Sequence, residues 1–141
     1  MVPFLKLSSV KIKLVFFMML LTSCNSSAQD PGFSDIQPGG LADFLMAKEA
    51  VIIDVRTPPE WERGMVEQAL TINLNHRQFD QAIDELDRDA TYLIYCNSGN
   101  RSRVASRRMV QMGFKNIYNY NGMHFQIRRE YQEWEQSAEQ P

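Results

Sequence analysis

Cys96 is the residue best placed for covalent chemistry, because it directly follows the apolar run 91–95 and precedes a short polar segment. That segment consists of Asn97, Ser98, Gly99, Asn100 and Arg101. Gly99 lets the backbone curl with its N–H groups pointing inward, an arrangement that binds anions. A helix beginning near Arg101 would add its positive N-terminal end, and the guanidinium would add a permanent charge. We therefore predict a catalytic Cys96 with a pKa below the roughly 8.5 of a free thiol, and a loop that binds an anionic substrate.

A second group of charged residues lies near the end of the apolar run 51–55. Asp54 is within this run, and Arg56 and Glu60 follow it. An acid and a base at the end of a strand usually pair with their neighbours and hold loops together. We therefore assign these residues a supporting structural role. Arg56 is expected to form a short-range ion pair with Glu60, and Asp54 is expected to connect this segment to the Cys96 loop.

The histidines give no indication of a metal site. His76 and His124 are widely separated in the sequence, and we interpret both as incidental surface or core residues. With one free cysteine they do not form a set of zinc ligands. We predict neither a metal nor a cofactor.

Short β-rich runs alternate with amphipathic stretches from Phe33 onward. The predicted strands are 51–55, 69–73, 91–95 and 116–120, and the predicted helices lie near 41–48, 79–86, 104–112 and 127–134, with a further helix that starts at 57–60. Thr57, Pro58 and Glu60 fit the start of a helix, with a capping threonine and a glutamate that closes a capping box. Strands separated by helices require crossover connections, which predicts an α/β domain with a mostly parallel sheet. In such sheets the ligand site lies beyond the carboxyl ends of the strands, where Cys96 is found.

The amino-terminal residues are typical of a targeting segment. Lys6, Lys11 and Lys13 precede the apolar run 14–21, which is too short for a permanent bilayer-spanning helix. The sequence Leu-Thr-Ser-Cys that ends at Cys24 resembles the lipobox of bacterial lipoproteins, which implies that Cys24 is lipidated and that the chain is anchored to the membrane. The expected organisation is a lipoprotein signal peptide (1–23), a flexible tether (24–32), a domain (33–136) and a C-terminal tail (137–141). This predicts an extracytoplasmic protein on the periplasmic side or surface of the cell envelope.

The composition fits one domain and excludes several classes of protein. The chain has 141 residues, of which 44% are hydrophobic and 23% are charged, with a net charge of -2. This length holds one ordinary domain, and the balance is not that of a disordered chain. A mildly acidic chain argues against nucleic acid as a partner, because phosphate neutralisation requires a basic face. Two cysteines cannot build a disulfide framework.

Three segments together resemble the rhodanese family. The segment 95–102 matches the family's active-site loop, 54–64 matches an Asp-x-Arg motif followed by an acidic-aromatic pair and a glycine, and 112–118 matches a third motif. The resemblance implies a three-layer α/β domain with a small, mostly parallel sheet flanked by helices. It also implies a sulfurtransferase in which Cys96 takes a sulfane sulfur from an anionic donor such as thiosulfate and passes it to a thiol or cyanide-like acceptor. The backbone amides of 97–101 would cradle the persulfide, and Arg101 would hold the donor's anionic end.

Two other functions stay open at this point. The fold could serve as a persulfide carrier or a protein-docking module without significant turnover. Related phosphatases and arsenate reductases share the fold, but their loop between Cys and Arg is longer than the segment Asn97–Asn100 found here. A shorter loop makes a tighter cradle, which favours a lone sulfur over a tetrahedral phosphate.

Overall fold

A five-stranded parallel sheet forms the centre of the molecule. The computed structural model describes residues 32–139, so the predictions for Cys24, the signal peptide and most of the tether lie outside it. In chain order the elements are β1 (Ser34–Ile36), α1 (Leu41–Ala47), β2 (Val51–Asp54), α2 (Pro58–Trp61), β3 (Leu70–Thr71), α3 (Phe79–Asp84), β4 (Thr91–Tyr95), α4 (Asn100–Gln111), β5 (Asn116–Tyr120) and α5 (His124–Ala138). The strand order is β1-β5-β4-β2-β3, and every neighbouring pair is parallel. The predicted α/β architecture is confirmed.

The strands differ in how closely they follow the prediction. Strands β4 and β5 have the predicted bounds, whereas β3 is shorter than the predicted 69–73. The sequence analysis missed β1, which has three residues and pairs with β5 at one edge of the sheet. So short a segment offers no alternation of apolar and polar residues to detect.

Helices cover both faces of the sheet. Along β4, Leu93 and Tyr95 pack in one core cluster, while Ile94 and the following Cys96 pack in the other. Helices α1 and α5 cover the first cluster with Leu41, Phe44, Ile127 and Tyr131, and helices α3 and α4 cover the second with Phe79, Ile83, Ala105 and Met109. Successive side chains of a strand point to opposite faces, so a strand covered on both sides is apolar throughout. The side chain of Cys96 therefore lies on the α4 face of the sheet.

Helix α2 begins with the predicted capping box. The Thr57 amide and hydroxyl both donate to the Glu60 carboxylate, at 3.0 and 2.7 Å, and the Glu60 amide donates to the Thr57 carbonyl at 2.9 Å. These bonds satisfy amide groups that the first turn of a helix leaves without partners. They also fix the position of the Glu60 side chain in the first turn of α2, which follows β2 in the chain.

A buried ion pair joins the carboxyl ends of β2 and β4. Arg56 Nε and Nη2 donate to the Asp54 carboxylate at 2.9 and 2.6 Å, and the Tyr95 hydroxyl donates to Asp54 Oδ2 at 2.6 Å. Arg56 also donates to the Gly64 carbonyl at 2.9 Å. The expected pair between Arg56 and Glu60 is wrong, because Asp54 takes the Arg56 guanidinium instead. Since Asp54 contacts Tyr95, the ion pair fixes the backbone immediately before Cys96.

We predict that Arg56→Ala lowers the free energy of unfolding by about 3–5 kcal/mol, because it leaves the Asp54 carboxylate buried without its counter-ion. Urea unfolding followed by circular dichroism measures this change. The matched control is Arg129→Ala, which removes an exposed ion pair with Glu133 (3.6 Å) and should cost less than about 1 kcal/mol. Equal losses in the two variants would contradict the role given to the buried pair.

Candidate active site

The loop after β4 places a cysteine beneath the start of a long helix. Gly99 precedes α4 with φ of +82°, a left-handed conformation that residues with a side chain rarely adopt. A Cβ atom there would also lie 3.1 Å from Asn121 Oδ1. A glycine is therefore required for the chain to turn from Cys96 into α4 within this space.

The sulfur of Cys96 is surrounded by hydrogen-bond donors. Cys96 is 1% exposed, and the Ser102 hydroxyl lies 3.5 Å from Sγ and 3.0 Å from the Gly99 carbonyl. Burial by itself raises the pKa of the thiol. Hydrogen bonds from the Ser102 hydroxyl and from the backbone amides of Ser102, Ser98 and Gly99 outweigh it, so the pKa of Cys96 lies below its ordinary value. The arrangement stabilises a thiolate, which is the nucleophilic form of cysteine.

Arg101 is held by Glu60. Arg101 Nη1 and Nη2 donate to Glu60 Oε2 and Oε1 at 2.7 and 2.6 Å, a bidentate pair in which both side chains are about one quarter exposed. The hydrogen bond from Arg101 holds the pKa of Glu60 well below its usual range, and Glu60 raises the pKa of Arg101 in turn. Glu60, rather than the expected Asp54, therefore connects the segment after β2 to Arg101 of the Cys96 loop, while Asp54 accepts from the Tyr95 hydroxyl. The charge of Arg101 is already compensated inside the protein.

The start of α5 supports the loop from the other side. The His124 amide donates to the Asn97 carbonyl at 3.0 Å, and the His124 ring stacks on Tyr95 with 6.1 Å between centroids. Burial, together with the charge of nearby Arg56, lowers the pKa of His124. His124 was interpreted as incidental, and the structure places it against the base of the loop. Its backbone amide holds the loop, a contact that no sequence pattern signals.

The structure brings most of the predicted site residues together. Cys96 lies at the centre, with the loop amides around its sulfur, while the side chains of Asn97, Ser98 and Asn100 are exposed at the surface. The sequence analysis missed Ser102, although a signal was present. Ser102 precedes the buried Ala105 and Met109 on one face of α4, so its hydroxyl had to point inward.

Two further observations concern residues 32–139 alone. No group of three or more His, Cys, Asp or Glu side chains in this range is arranged to hold a metal ion. Within the same range, no helix combines the length and the hydropathy needed to cross a bilayer.

Comparison with known proteins gives consistent matches. Residues 37–127 match the model of the rhodanese-like domain. The chain is 36% identical over 78 residues to a thiosulfate sulfurtransferase of Pseudomonas entomophila, covering 55% of this chain and 70% of that protein. It is 32% identical over 106 residues to a tRNA uridine(34) hydroxylase of Pectobacterium atrosepticum, covering 66% of this chain and 29% of that protein.

A solved structure supports the same assignment. The chain matches a rhodanese-related protein of Thermoplasma volcanium with a TM-score of 0.57 and 28% identity, covering 69% of this chain and 91% of that one. The chain spans only part of the curated relatives that it matches. It covers 61% of the length of one further relative and 29% of the length of each of two tRNA uridine(34) hydroxylases. The family match covers more than half of the chain and includes the Cys96 loop, the Asp54 segment and the sheet between them. The chain belongs to the rhodanese-like domain family.

Proposed function

We propose that this chain is a sulfurtransferase in which Cys96 carries the sulfur as a persulfide. The Cys96 thiolate attacks the outer sulfur of a donor such as thiosulfate and forms a new S–S bond. The donor's own S–S bond breaks, and sulfite leaves with its electron pair. A thiophilic acceptor such as cyanide then attacks the outer sulfur of the persulfide and releases the Cys96 thiolate.

The observation that carries this proposal is the set of donors converging on one buried sulfur. The Ser102 hydroxyl and the amides of Ser98, Gly99 and Ser102 lower the pKa of Cys96, and the same donors would stabilise a persulfide anion. The segment between Cys96 and Arg101 has only four residues, Asn97–Asn100, which makes a tight cradle around the sulfur. A tetrahedral phosphate would need a wider cradle. The name of the Pseudomonas entomophila relative points to the same chemistry.

We predict that thiosulfate adds the mass of one sulfur atom to the peptide containing Cys96, and that Cys96→Ser abolishes both this adduct and thiocyanate formation from cyanide. Peptide mapping by mass spectrometry and a thiocyanate assay measure the two effects. Treatment of the loaded protein with cyanide is the control and should remove the added mass. An unchanged thiocyanate rate in Cys96→Ser would refute the role of Cys96.

We predict that Ser102→Ala raises the pKa of Cys96, because it removes a donor to the charged sulfur. The rate of alkylation by iodoacetamide as a function of pH measures this pKa, and at neutral pH the variant should react more slowly. The matched control is Ser106→Ala, one turn further along α4, where the buried hydroxyl has no partner among the described residues. Equal shifts in the two variants would show that Ser102 does not act through the sulfur.

The alternative functions predict different results. A persulfide carrier or docking module would load sulfur on Cys96 but turn over slowly with cyanide. A phosphatase or arsenate reductase would hydrolyse an aryl phosphate or reduce arsenate at a rate that depends on Cys96. The short segment between Cys96 and Arg101 favours sulfur transfer over both phosphorus and arsenic chemistry.

We also propose that the protein is an extracytoplasmic lipoprotein anchored through Cys24. The proposal rests on the basic and apolar residues before the Leu-Thr-Ser-Cys sequence. We predict that Cys24→Ser prevents incorporation of labelled fatty acid and shifts the protein from the membrane fraction to the soluble one. The control is Ser26→Ala, which changes a residue beside the lipobox and should leave labelling intact. Persistent labelling of Cys24→Ser would contradict the anchor.

A further inference from the structure

The carboxylate of Glu60 is held by partners on two different elements of the fold. Glu60 Oε1 accepts from Arg101 Nη2 at 2.6 Å, and Oε2 accepts from Arg101 Nη1 at 2.7 Å. Oε2 also accepts from the Thr57 hydroxyl at 2.7 Å and from the Thr57 amide at 3.0 Å. Because Thr57 is the N-cap residue of α2, these bonds fix the carboxylate at the start of that helix. Glu60 is therefore a fixed counter-ion for Arg101.

The Arg101 guanidinium lies within electrostatic reach of the sulfur. Its hydrogen bonds to Glu60 are the main cause that raises the pKa of Arg101, and the charges of Glu60, Cys96 and Asp54 raise this pKa further. The side chains of Arg101 and Glu60 are 28% and 24% exposed, so a molecule that approaches the loop from solvent can contact both. The net charge of this pair therefore contributes to the potential that a sulfur donor meets near Cys96.

The pair leaves little positive charge at the loop to attract an anion. A guanidinium binds an oxyanion best through two parallel N–H groups, and both terminal nitrogens of Arg101 are bound to Glu60. The loop has three other exposed side chains, all neutral, which are those of Asn97, Ser98 and Asn100. Further along α4, Arg103 donates to Asp35 at 2.6 Å. An arriving anion therefore meets a nearly neutral surface unless the ion pair of Arg101 and Glu60 breaks.

We propose that Glu60 is a positioning residue that withholds Arg101 from the sulfur donor, so that donor binding is nearly independent of the donor's charge. This inference rests on the proposed sulfurtransferase function and concerns the specificity of the same site. The resemblance to the rhodanese family implied that Arg101 holds the anionic end of the donor, whereas here the guanidinium holds Glu60. Removing the charge of Glu60 should release Arg101 to bind the donor.

The experiment compares two donors of similar shape and different charge. Thiosulfate is a dianion, and methanethiosulfonate is a monoanion in which a methyl group replaces a charged oxygen. In both reactions the Cys96 thiolate bonds to the outer sulfur, the donor's S–S bond breaks, and sulfite or methanesulfinate leaves with the electron pair of that bond. Intact-protein mass spectrometry measures the rate of sulfur gain at a series of donor concentrations. In the full chain, the half-saturating concentrations of the two donors should differ by less than about threefold, because the pair has no net charge.

Substitutions change the charge of the pair in steps. Glu60→Gln leaves Arg101 uncompensated. It should lower the half-saturating concentration of thiosulfate about tenfold and that of methanethiosulfonate about threefold, because the Coulomb energy is proportional to the donor's charge. Arg101→Gln leaves Glu60 uncompensated and should raise both concentrations by similar factors. The double variant is neutral again and should return both concentrations to about those of the full chain. A residue that only supported the fold would not cause opposite shifts that scale with the charge of the donor.

Glu62→Gln is the matched control, because it removes an acidic charge from an exposed position at the end of α2. It should change both half-saturating concentrations by less than about twofold, since salt screens an exposed charge. Glu60→Gln keeps an oxygen that can accept from Thr57, so α2 should keep its cap. Circular dichroism checks that each variant is folded.

The outcomes separate this inference from the proposed function. Equal half-saturating concentrations of thiosulfate in Glu60→Gln and in the full chain would overturn the role of Glu60 and leave sulfur transfer at Cys96 standing. A double variant as impaired as Arg101→Gln would show that Arg101 binds the donor directly, and it would also overturn the proposal. No gain of sulfur at Cys96 from either donor in the full chain would overturn both the proposal and the sulfurtransferase function.

Discussion

A fully buried carboxylate, that of Asp54, governs the geometry at the carboxyl end of the sheet. A charge removed from water must be paired and hydrogen-bonded, and here Arg56 supplies the counter-ion and the Tyr95 hydroxyl supplies a further donor. These partners come from the ends of two neighbouring strands, so the pairing holds the carboxyl ends of β2 and β4 together. Cys96 is the next residue after Tyr95, so its position follows from the buried pair.

The two ion pairs of the site have different effects on the protein. The pair of Asp54 and Arg56 is buried and contributes to stability, whereas the pair of Glu60 and Arg101 is partly exposed and contributes little. The second pair matters for the charge that an approaching substrate meets. A guanidinium already bound by two carboxylate oxygens is a weak anchor for another anion.

Much of the fold could be predicted because β4 is a run of β-branched, aromatic and other apolar residues, and β5 carries isoleucine and tyrosines between turn signals. The Cys96 loop could be predicted because its glycine and its position after a strand are local features. The partner of Glu60 could not be predicted, since Glu60 and Arg101 are 41 residues apart in sequence. The error for Arg56 has a local reason: side chains two apart in an extended chain lie on the same side, which brings Asp54 to Arg56. The expected spacing to Glu60 applies only inside a helix.

The chain enters the domain far from the sulfur. Gly32 lies against Val110 near the end of α4, and β1 begins beside it, so the chain enters at the amino ends of the parallel strands. Cys96 lies at the opposite edge, near the start of α4, which is about 18 Å long over its 12 residues. The point where the chain enters the domain and the reactive sulfur therefore lie at opposite ends of the parallel strands.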